Sequence, residues 1–431
     1  MHDSRLGRRV AIVAGLRTPF AKSGTVFRDV SATALARHAA RELLVRSELD
    51  GREIDEVMFG QVVPSVRVPN VAREVSLLPQ LLPSVPAYSL NRACASAAQA
   101  ITNAADQIAL GHADIVLAGG VESLSDIPVL HSRRFSQILV EAGRAKGVGG
   151  RLAALARTRP RDLVPVTPAV AEPSTGETMG QSAEKMAKEN GITREAQDQL
   201  SLQSHQRAAA ATADGRMAAE IAPWFGGRGM DEIIAGDNGI RPETSLEALA
   251  QLRPVFDRRY GSVTAGNSSP LTDGAAAVLL MAEEKAAALG YEPLAYLRSY
   301  AVAAVDPGWQ LLMGPVYAVP RALERAGIAW GDLGLVEIHE AFAAQVLSNV
   351  QAWGSQAWAE RLGLPGPVGE VDWDRTNVMG GSIAVGHPFG ATGARLVTTL
   401  AHEMRRRDVQ FGLISICAQG GMGAALVLER D

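Results

Sequence analysis

Short apolar runs alternate along this chain with longer, alanine-rich stretches that have the polar spacing of helices. The runs are rich in β-branched residues, and several are apolar throughout, as expected of strands covered on both faces. The predicted strands are residues 10–13, 115–118, 277–281, 335–338, 413–416 and 425–428. The predicted helices are residues 31–46, 96–110, 182–189, 194–211 and 392–404. This alternation predicts an α/β fold with largely parallel strands.

A short internal repeat indicates a duplicated unit. Near the end of the chain, the predicted strand 414–417 is followed at once by GGMGAALVLE. A similar strand at 114–120 finds its matching segment, TDGAAAVLLM, only from Thr272 onward. If both pairs are copies of one unit, the first copy carries an insertion of roughly 150 residues between two neighbouring strands.

Residues 131–161, within this insertion, differ in charge from the rest of the chain. Glu141 is their only acidic residue. The basic residues are Arg133, Arg134, Arg144, Lys146, Arg151, Arg157, Arg159 and Arg161. Two interpretations remain open: a solvated loop, or a segment that attracts an anion, whether the phosphates of a ligand, an acidic partner or a lipid surface. The neighbouring apolar residues favour an amphipathic helix at an interface; they are Phe135, Ile138, Leu139 and Val140.

Length and composition restrict the class of protein. The 431 residues suggest two or three domains. A formal net charge of −4 argues against a nucleic-acid partner. The chain has no run of about 18 apolar residues to span a bilayer, and residues 1–15 lack the apolar core of a signal peptide. We therefore expect a cytoplasmic protein in a reducing compartment, in which cysteines stay free thiols.

Two segments combine a reactive side chain with a turn before a predicted helix. In SLNRACASAAQAI, Cys94 precedes a helix whose dipole is expected to lower the pKa of its thiol. Taken alone, this segment fits a structural cysteine packed beneath a helix better. In NVMGGSIAVGHPFGATGARL, five glycines surround His387, and such a turn presents an imidazole to a cleft. Histidine is the usual group that activates a cysteine nucleophile.

Two further segments place reactive residues at the ends of predicted strands. Cys417 ends a buried strand at a glycine-rich turn, where α/β active sites collect and where backbone N–H groups form oxyanion holes. An inert buried thiol fits this pattern too. His339 stands between a strand and a helix, in LVEIHEAFAAQ. HEAFA lacks a second metal ligand four residues on, so we expect an acid–base or oxyanion-binding histidine and no metal site.

Seven segments, in their order along the chain, resemble the signatures of the thiolase family over essentially the whole sequence. They are RTPF, AGGVES, SAEKMAKENGITREAQD, TAGNSSPLTDGAAAV, HEAFAAQ, GGSIAVGHPFGATGAR and CAQGGMGAA. The resemblance implies a thiolase fold, in which two duplicated βαβαβαββ halves form a layered α-β-α-β-α core. It implies an N-terminal half at 1–125 and 256–285, an inserted loop domain at 126–255, and a C-terminal half at 286–431.

The resemblance also implies catalytic roles. Cys94 matches the acyl-accepting nucleophile, and His387 matches the base that takes its proton. Cys417 matches the second acid/base, which protonates the leaving acetyl-CoA enolate. His339 occupies the position that helps to hold the thioester oxygen, where most family members have asparagine. The backbone N–H groups of Cys94 and Gln419 are expected to face the tetrahedral oxyanions.

Four residues match positions where the family binds its substrate. Ser269, Met179, Phe342 and Ala341 fall along the channel for the pantetheine arm of CoA. CoA is then a substrate, and no cofactor or metal is implied.

The resemblance implies a 3-ketoacyl-CoA thiolase, which cleaves 3-ketoacyl-CoA with CoA through an acyl-cysteine in fatty-acid β-oxidation. A biosynthetic thiolase that condenses two acetyl-CoA molecules would use the same residues, so chain-length preference separates the two. The HEAF variant is similar to the β subunit of the fatty-acid-oxidation trifunctional complex and favours degradation. A catalytically silent lipid carrier or scaffold is less compatible with both cysteines and both histidines. Cys417 argues against the ketoacyl-ACP synthases, which share the fold.

Expected partners follow from the same resemblance. Family members are dimers or tetramers, so we expect a homo-oligomer, with a hydratase/dehydrogenase α subunit as a candidate partner. Residues 131–161 are the candidate contact with that subunit or with an anionic membrane, which would place a cytoplasmic enzyme at the membrane periphery.

Overall fold

A computed structural model describes residues 7–165, 171–226 and 232–431. The strands in these ranges are β1 Val10–Arg17, β2 Ala21–Lys22, β3 Glu56–Gly60, β4 Ala87–Leu90, β5 Ile115–Glu122, β6 Trp224–Gly226, β7 Glu232–Ile234, β8 Thr272–Ala282, β9 Ala295–Ala304, β10 Leu335–Ile338, β11 Phe411–Ala418 and β12 Met422–Glu429. The helices are α1 Ala32–Ser47, α2 Val71–Ser76, α3 Ser96–Ala109, α4 Arg133–Arg144, α5 Gly147–Leu155, α6 Met179–Glu189, α7 Arg194–Ala213, α8 Arg216–Glu220, α9 Leu246–Ala250, α10 Glu283–Ala288, α11 Gly314–Ala326, α12 Ala343–Trp353, α13 Gln356–Leu362, α14 Ser382–Val385 and α15 Thr392–Arg407. Across the described ranges, no helix is long and apolar enough to cross a membrane.

The main sheet has the strand order β10-β11-β12-β9-β1-β8-β5-β3-β4. Its two ends repeat one arrangement: β3 runs parallel to β5 and β5 antiparallel to β8, as β10 runs parallel to β11 and β11 antiparallel to β12. The two segments of the internal repeat, β8 and β12, therefore occupy equivalent positions. A short antiparallel pairing between β1 and β9 joins the two halves.

The prediction of largely parallel strands is wrong. Only the pairs β3–β4, β3–β5 and β10–β11 are parallel among the described strands, and the other pairs are antiparallel. The uninterrupted apolar runs have a different cause, since helices cover both faces of the sheet. Strand β8 is buried at every position although both of its long neighbours, β1 and β5, run antiparallel to it. Burial on both faces, and not strand direction, removes the alternation of polar and apolar residues.

Three buried clusters separate the layers. The central cluster contains α3 and α15 with the inner faces of both halves, the second lies between the first half and α1 and α2, and the third lies between the second half and α11 and α12. This is the α-β-α-β-α arrangement. At its centre the backbones of α3 and α15 approach closely, because a Cβ atom at Gly393 would lie 2.4 Å from the backbone nitrogen of Ala98.

The chain between β5 and β8 forms the insertion, and buried ion pairs connect it to the core. Arg17, at the end of β1, is fully buried and donates to Glu220 and Asp237 of the insertion. The predicted amphipathic helix is α4, but Phe135 and Ile138 are buried. Only Leu139 and Val140 of the predicted apolar residues are exposed.

Candidate active site

Cys94 lies in the turn between β4 and α3. Ser96, at the start of α3, accepts a hydrogen bond from Arg92 N (2.8 Å) and donates one to Ala93 O (2.6 Å). These bonds close the turn and hold Ala93 at φ 46°, a left-handed conformation that is unfavourable for a residue with a Cβ. The strained turn leaves Cys94 half-buried at the edge of a cavity.

His387 lies in the glycine-rich loop between α14 and α15 and is buried. Its backbone N–H donates to Thr272 Oγ1 (3.0 Å), and its Nδ1 lies 2.6 Å from Thr392 Oγ1. The preceding Gly386 has φ 108°, and a Cβ there would lie 2.7 Å from Thr272 Oγ1. Glycine is therefore required for the loop to approach β8 this closely.

His339 and Cys417 come from the neighbouring strands β10 and β11. His339 follows the last residue of β10, and its backbone N–H donates to Ser415 O (2.8 Å). Its Nδ1 lies 2.9 Å from Ser382 Oγ. Cys417 is 1% exposed near the end of β11. Both cysteines are free thiols.

The structure brings together Cys94, His339 and His387, three of the four residues for which the sequence predicts a catalytic role. The rings of the two histidines lie 4.1 Å apart between centroids. The Cys94 sulfur and one nitrogen of each ring all lie within 4.8 Å of one another. Among the described residues, this is also the one group whose donor atoms are close enough to hold a metal ion. The expectation of no metal site therefore remains a prediction.

The turn after β11 is fixed by the insertion. The backbone N–H groups of Gln419 and of Cys94 lie close enough to the Cys94 sulfur to lower the pKa of its thiol, although burial raises that pKa by more. The side chain of Gln419 donates to Ala171 O (3.0 Å), and the N–H of Gly420 donates to the Glu172 carboxylate (3.0 Å). The side chain of Gln419 thus connects the turn to the insertion. The sequence alone did not indicate this contact.

A cavity of about 200 Å³ contains most of the predicted site residues. It is lined by Val62, Val63, Ala93, Cys94, Leu124, Ile127, Met179, Ser269, Leu271, Leu312, Ala341, Phe342, His387, Phe389, Cys417 and Gln419. All four residues predicted for the CoA channel line it. His339 is fully buried and is absent from this lining, but a nitrogen of its ring lies within 4.8 Å of both the Cys94 sulfur and a nitrogen of His387.

The sequence analysis missed the apolar wall of this cavity. Val62 and Val63 follow the end of β3, and Leu124 and Ile127 follow the end of β5. The one signal for them in the sequence is their position after the carboxyl ends of buried strands, where ligands bind in α/β folds. Phe389, two residues after His387, completes the wall.

Burial sets the protonation state of the unliganded site. It raises the pKa of the Cys94 thiol to about 12 and the pKa of Cys417 well above its ordinary value. It lowers the pKa of His387 to about 3 and that of His339 well below its ordinary value. The predicted lowering of the Cys94 pKa is wrong for this state, because loss of hydration raises the pKa by more than the nearby backbone N–H groups lower it. The thiol and both imidazoles are neutral at pH 7.

A cysteine with a histidine close by, at a turn between a strand and a helix, is typical of acyl transfer through a cysteine nucleophile. The family comparison agrees with this class. Residues 10–284 match the family description "Thiolase, N-terminal domain", and residues 291–430 match "Thiolase, C-terminal domain". The chain belongs to the thiolase family, whose members are acyltransferases.

Individual relatives cover nearly the whole chain. A "3-ketoacyl-CoA thiolase" from Escherichia coli O157:H7 is 49% identical over 429 residues, covering 99% of this chain and 98% of the relative. A protein of the same name from Erwinia tasmaniensis is 49% identical over 434 residues, with the same coverage. The solved Bacillus anthracis acetyl-CoA acetyltransferase has a TM-score of 0.84 at 35% identity, and human mitochondrial 3-ketoacyl-CoA thiolase has 0.82 at 33%. Both structural comparisons cover 99% of each chain.

The raised thiol pKa predicts how Cys94 reacts with iodoacetamide. Only the thiolate reacts, so with a pKa of about 12 the alkylation rate should rise about tenfold per pH unit from pH 7 to 10 without a plateau. Peptide mass spectrometry would follow the rate at Cys94. Cys417 serves as the internal control and should react far more slowly because it is buried. A plateau by pH 8 would show a preformed thiolate and contradict the neutral resting state.

Proposed function

We propose that this protein cleaves 3-ketoacyl-CoA with CoA, giving acetyl-CoA and a shortened acyl-CoA in fatty-acid β-oxidation. The observation that carries the proposal is the convergence of Cys94, His339 and His387 within 4.8 Å at a cavity that also contains Cys417. The names of the 49%-identical relatives support the same reaction.

In the first half-reaction, the Cys94 sulfur attacks the 3-keto carbon while its proton passes to Nε2 of His387. The carbon–carbon bond then breaks, and acetyl-CoA leaves as an enolate that Cys417 protonates. Because thiol and imidazole are both neutral at rest, the proton transfer accompanies the attack. The shortened acyl group remains on Cys94 as a thioester.

In the second half-reaction, the Cys417 thiolate takes the proton of the CoA thiol, and the CoA sulfur attacks the acyl-Cys94 thioester. The departing Cys94 sulfur takes back the proton from Nε2 of His387, so both cysteines and the histidine return to their starting state. We assign the stabilisation of the oxyanions in both half-reactions to the backbone N–H groups of Cys94 and Gln419, which lie near the Cys94 sulfur. Loss of one such donor typically costs about 3 kcal/mol of barrier. CoA is the substrate, and the two half-reactions predict ping-pong kinetics.

The cavity lining contains residues suited to both parts of the substrate. Ser269, Met179, Ala341 and Phe342 are the lining residues proposed for the pantetheine arm. The apolar lining residues near the ends of β3 and β5, which include Val62 and Leu124, suit an aliphatic acyl chain. These residues support the preference for medium or long chains suggested by the HEAF variant.

Condensation of two acetyl-CoA molecules is the second candidate function. The similarity to the Bacillus anthracis acetyl-CoA acetyltransferase favours it. The same residues serve either direction, so the length of the accepted acyl chain separates the two functions. A silent carrier is disfavoured, since such a protein has no need for a cysteine and two histidines in contact.

We also propose the domain limits expected from the sequence. Residues 1–125 with 256–285 form the first half, 126–255 the insertion, and 286–431 the second half. In support, β5 ends at Glu122, β8 ends at Ala282, and β9 begins at Ala295.

The insertion supplies a candidate contact surface for a membrane. We define the apolar–basic surface as the exposed apolar residues of α4 and α5 together with the arginines of residues 131–161. The apolar residues are Leu139, Val140, Val148, Leu152 and Leu155. Two arginines are paired within the insertion, Arg134 with Asp162 and Arg157 with Glu141. Apolar side chains ringed by positive charge are typical of peripheral contact with anionic lipid. Self-association and a hydratase/dehydrogenase α subunit remain further proposals.

Thiolysis of 3-ketoacyl-CoA substrates from four to sixteen carbons should proceed and become faster with chain length, because the apolar wall binds the longer chains more strongly. Loss of the ketoacyl-CoA absorbance measures the rate. Cys94→Ala should abolish activity and is the control for background cleavage. Activity confined to the four-carbon substrate would favour the biosynthetic function. Near-normal turnover by Cys94→Ala would contradict the mechanism.

The double variant Val148→Glu/Leu152→Glu should lose binding to anionic phospholipid vesicles, because it places two charges in the apolar–basic surface. Cosedimentation at low and high salt measures this binding, which should weaken with salt. Val66→Glu is the control for adding a charge to an exposed valine elsewhere, because Val66 lies outside the insertion and is 84% exposed, against 72% for Val148 and 61% for Leu152. Unchanged vesicle binding by the double variant would contradict the membrane proposal.

A further inference from the structure

The two histidines of the site are held in closely similar ways. Nδ1 of each ring lies against a side-chain hydroxyl, Thr392 for His387 (2.6 Å) and Ser382 for His339 (2.9 Å). Nε2 of each ring is buried and has no hydrogen-bond partner among the described residues. What differs is the second contact of each hydroxyl, and that contact determines which ring nitrogen carries the proton.

For His387, the hydroxyl must accept from the ring. Thr392 Oγ1 lies 3.1 Å from Pro388 O and donates its one hydrogen to that carbonyl. Only its lone pairs remain for His387, so Nδ1 carries the proton. The lone pair of His387 is then on Nε2, as required for the base that takes the Cys94 proton.

For His339, the hydroxyl must donate to the ring. Ser382 Oγ accepts a hydrogen bond from Nη2 of Arg395 (2.9 Å). A guanidinium has donors only, and among the described residues Nδ1 of His339 is the one remaining polar partner of this oxygen, so the hydroxyl hydrogen of Ser382 is satisfied only by donating to Nδ1. Nε2 of His339 then carries the proton, and this ring faces Cys94 and His387 as a donor.

Arg395 is fixed in this position. It is 2% exposed, extends from α15, and its Nη1 lies 3.4 Å from the Glu337 carboxylate. Its charge adds to burial in lowering the pKa of both His339 and His387. Arg395 thus favours neutral rings, and its hydrogen bond to Ser382 gives His339 its orientation as a donor.

We propose that Ser382, with Arg395 behind it, is a positioning residue that holds His339 in the Nε2–H tautomer. His339 then donates to the oxygen that becomes negative in the reaction, while His387, in the opposite tautomer, accepts the proton of Cys94. This inference rests on the proposed function and assigns different roles to two neighbouring imidazoles. A donor serves an oxyanion only if its hydrogen is already directed at it.

Neutron diffraction of the unmodified protein, exchanged into deuterated water, tests the tautomers directly. We expect deuterium on Nε2 of His339, on Nδ1 of His387, and on the Ser382 hydroxyl directed toward His339. Deuterium on Nδ1 of His339 would overturn the proposal. The result does not depend on activity, so it stands even if no 3-ketoacyl-CoA is cleaved, which would instead contradict the proposed function.

A pair of kinetic comparisons tests the consequence. Ser382→Ala should lower kcat for thiolysis at least about tenfold, with little change in KM. Without the Ser382 hydroxyl, the N–H of His339 is no longer held toward the oxyanion, and this hydrogen bond matters mainly in the transition state, where the negative charge develops. In a His339→Asn background, the same substitution should change kcat less than about twofold. An asparagine amide always carries its donor hydrogens, so it does not need Ser382 to select a tautomer. Equal losses in both backgrounds would show that Ser382 does not act through His339. Thermal melting of all four proteins checks that each is folded.

Discussion

The contact between α3 and α15 is the one on which the rest of the site depends. It lies at the centre of the layered core, where Gly393 lets one helix backbone approach Ala98 of the other. Cys94 precedes α3 and belongs to the first half of the repeat, whereas His387 precedes α15 and belongs to the second. The close packing of these helices therefore brings a nucleophile and a base from two copies of one unit to the same point.

The second constraint is the burial of the reactive side chains at this site. Burial opposes charge on every reactive group, so the resting site contains neutral thiols and neutral imidazoles. In such a site, catalysis depends on where hydrogens already point rather than on preformed ions. The hydroxyls of Thr392 and Ser382 set those directions, and the buried Arg395 supplies a positive charge that keeps the rings neutral. The insertion contributes by fixing the turn of Gln419.

Much of this arrangement could be predicted from the sequence because its signals are local. The turn residues around Cys94 and His387 and the ends of the strands before His339 and Cys417 all stand in short segments. The repeat of β8 and β12 could be predicted because the two segments have similar amino-acid sequences. The direction of the strands could not be predicted, because uninterrupted apolar runs indicate burial on both faces and carry no information on direction. The contact of Gln419 with Ala171 joins residues far apart in the chain. The thiol pKa also depends on burial, which no local motif contains.

The central claim is that the carbon–carbon bond is cleaved by attack of Cys94, leaving an acyl group on that sulfur. Acid quenching of the protein after brief reaction with a 3-ketoacyl-CoA, in the absence of free CoA, would trap this species for peptide mass mapping. We expect the shortened acyl group on the Cys94 peptide, with an equal amount of acetyl-CoA released. Acetyl-CoA release with the acyl group on Cys417, or on neither cysteine, would contradict this claim.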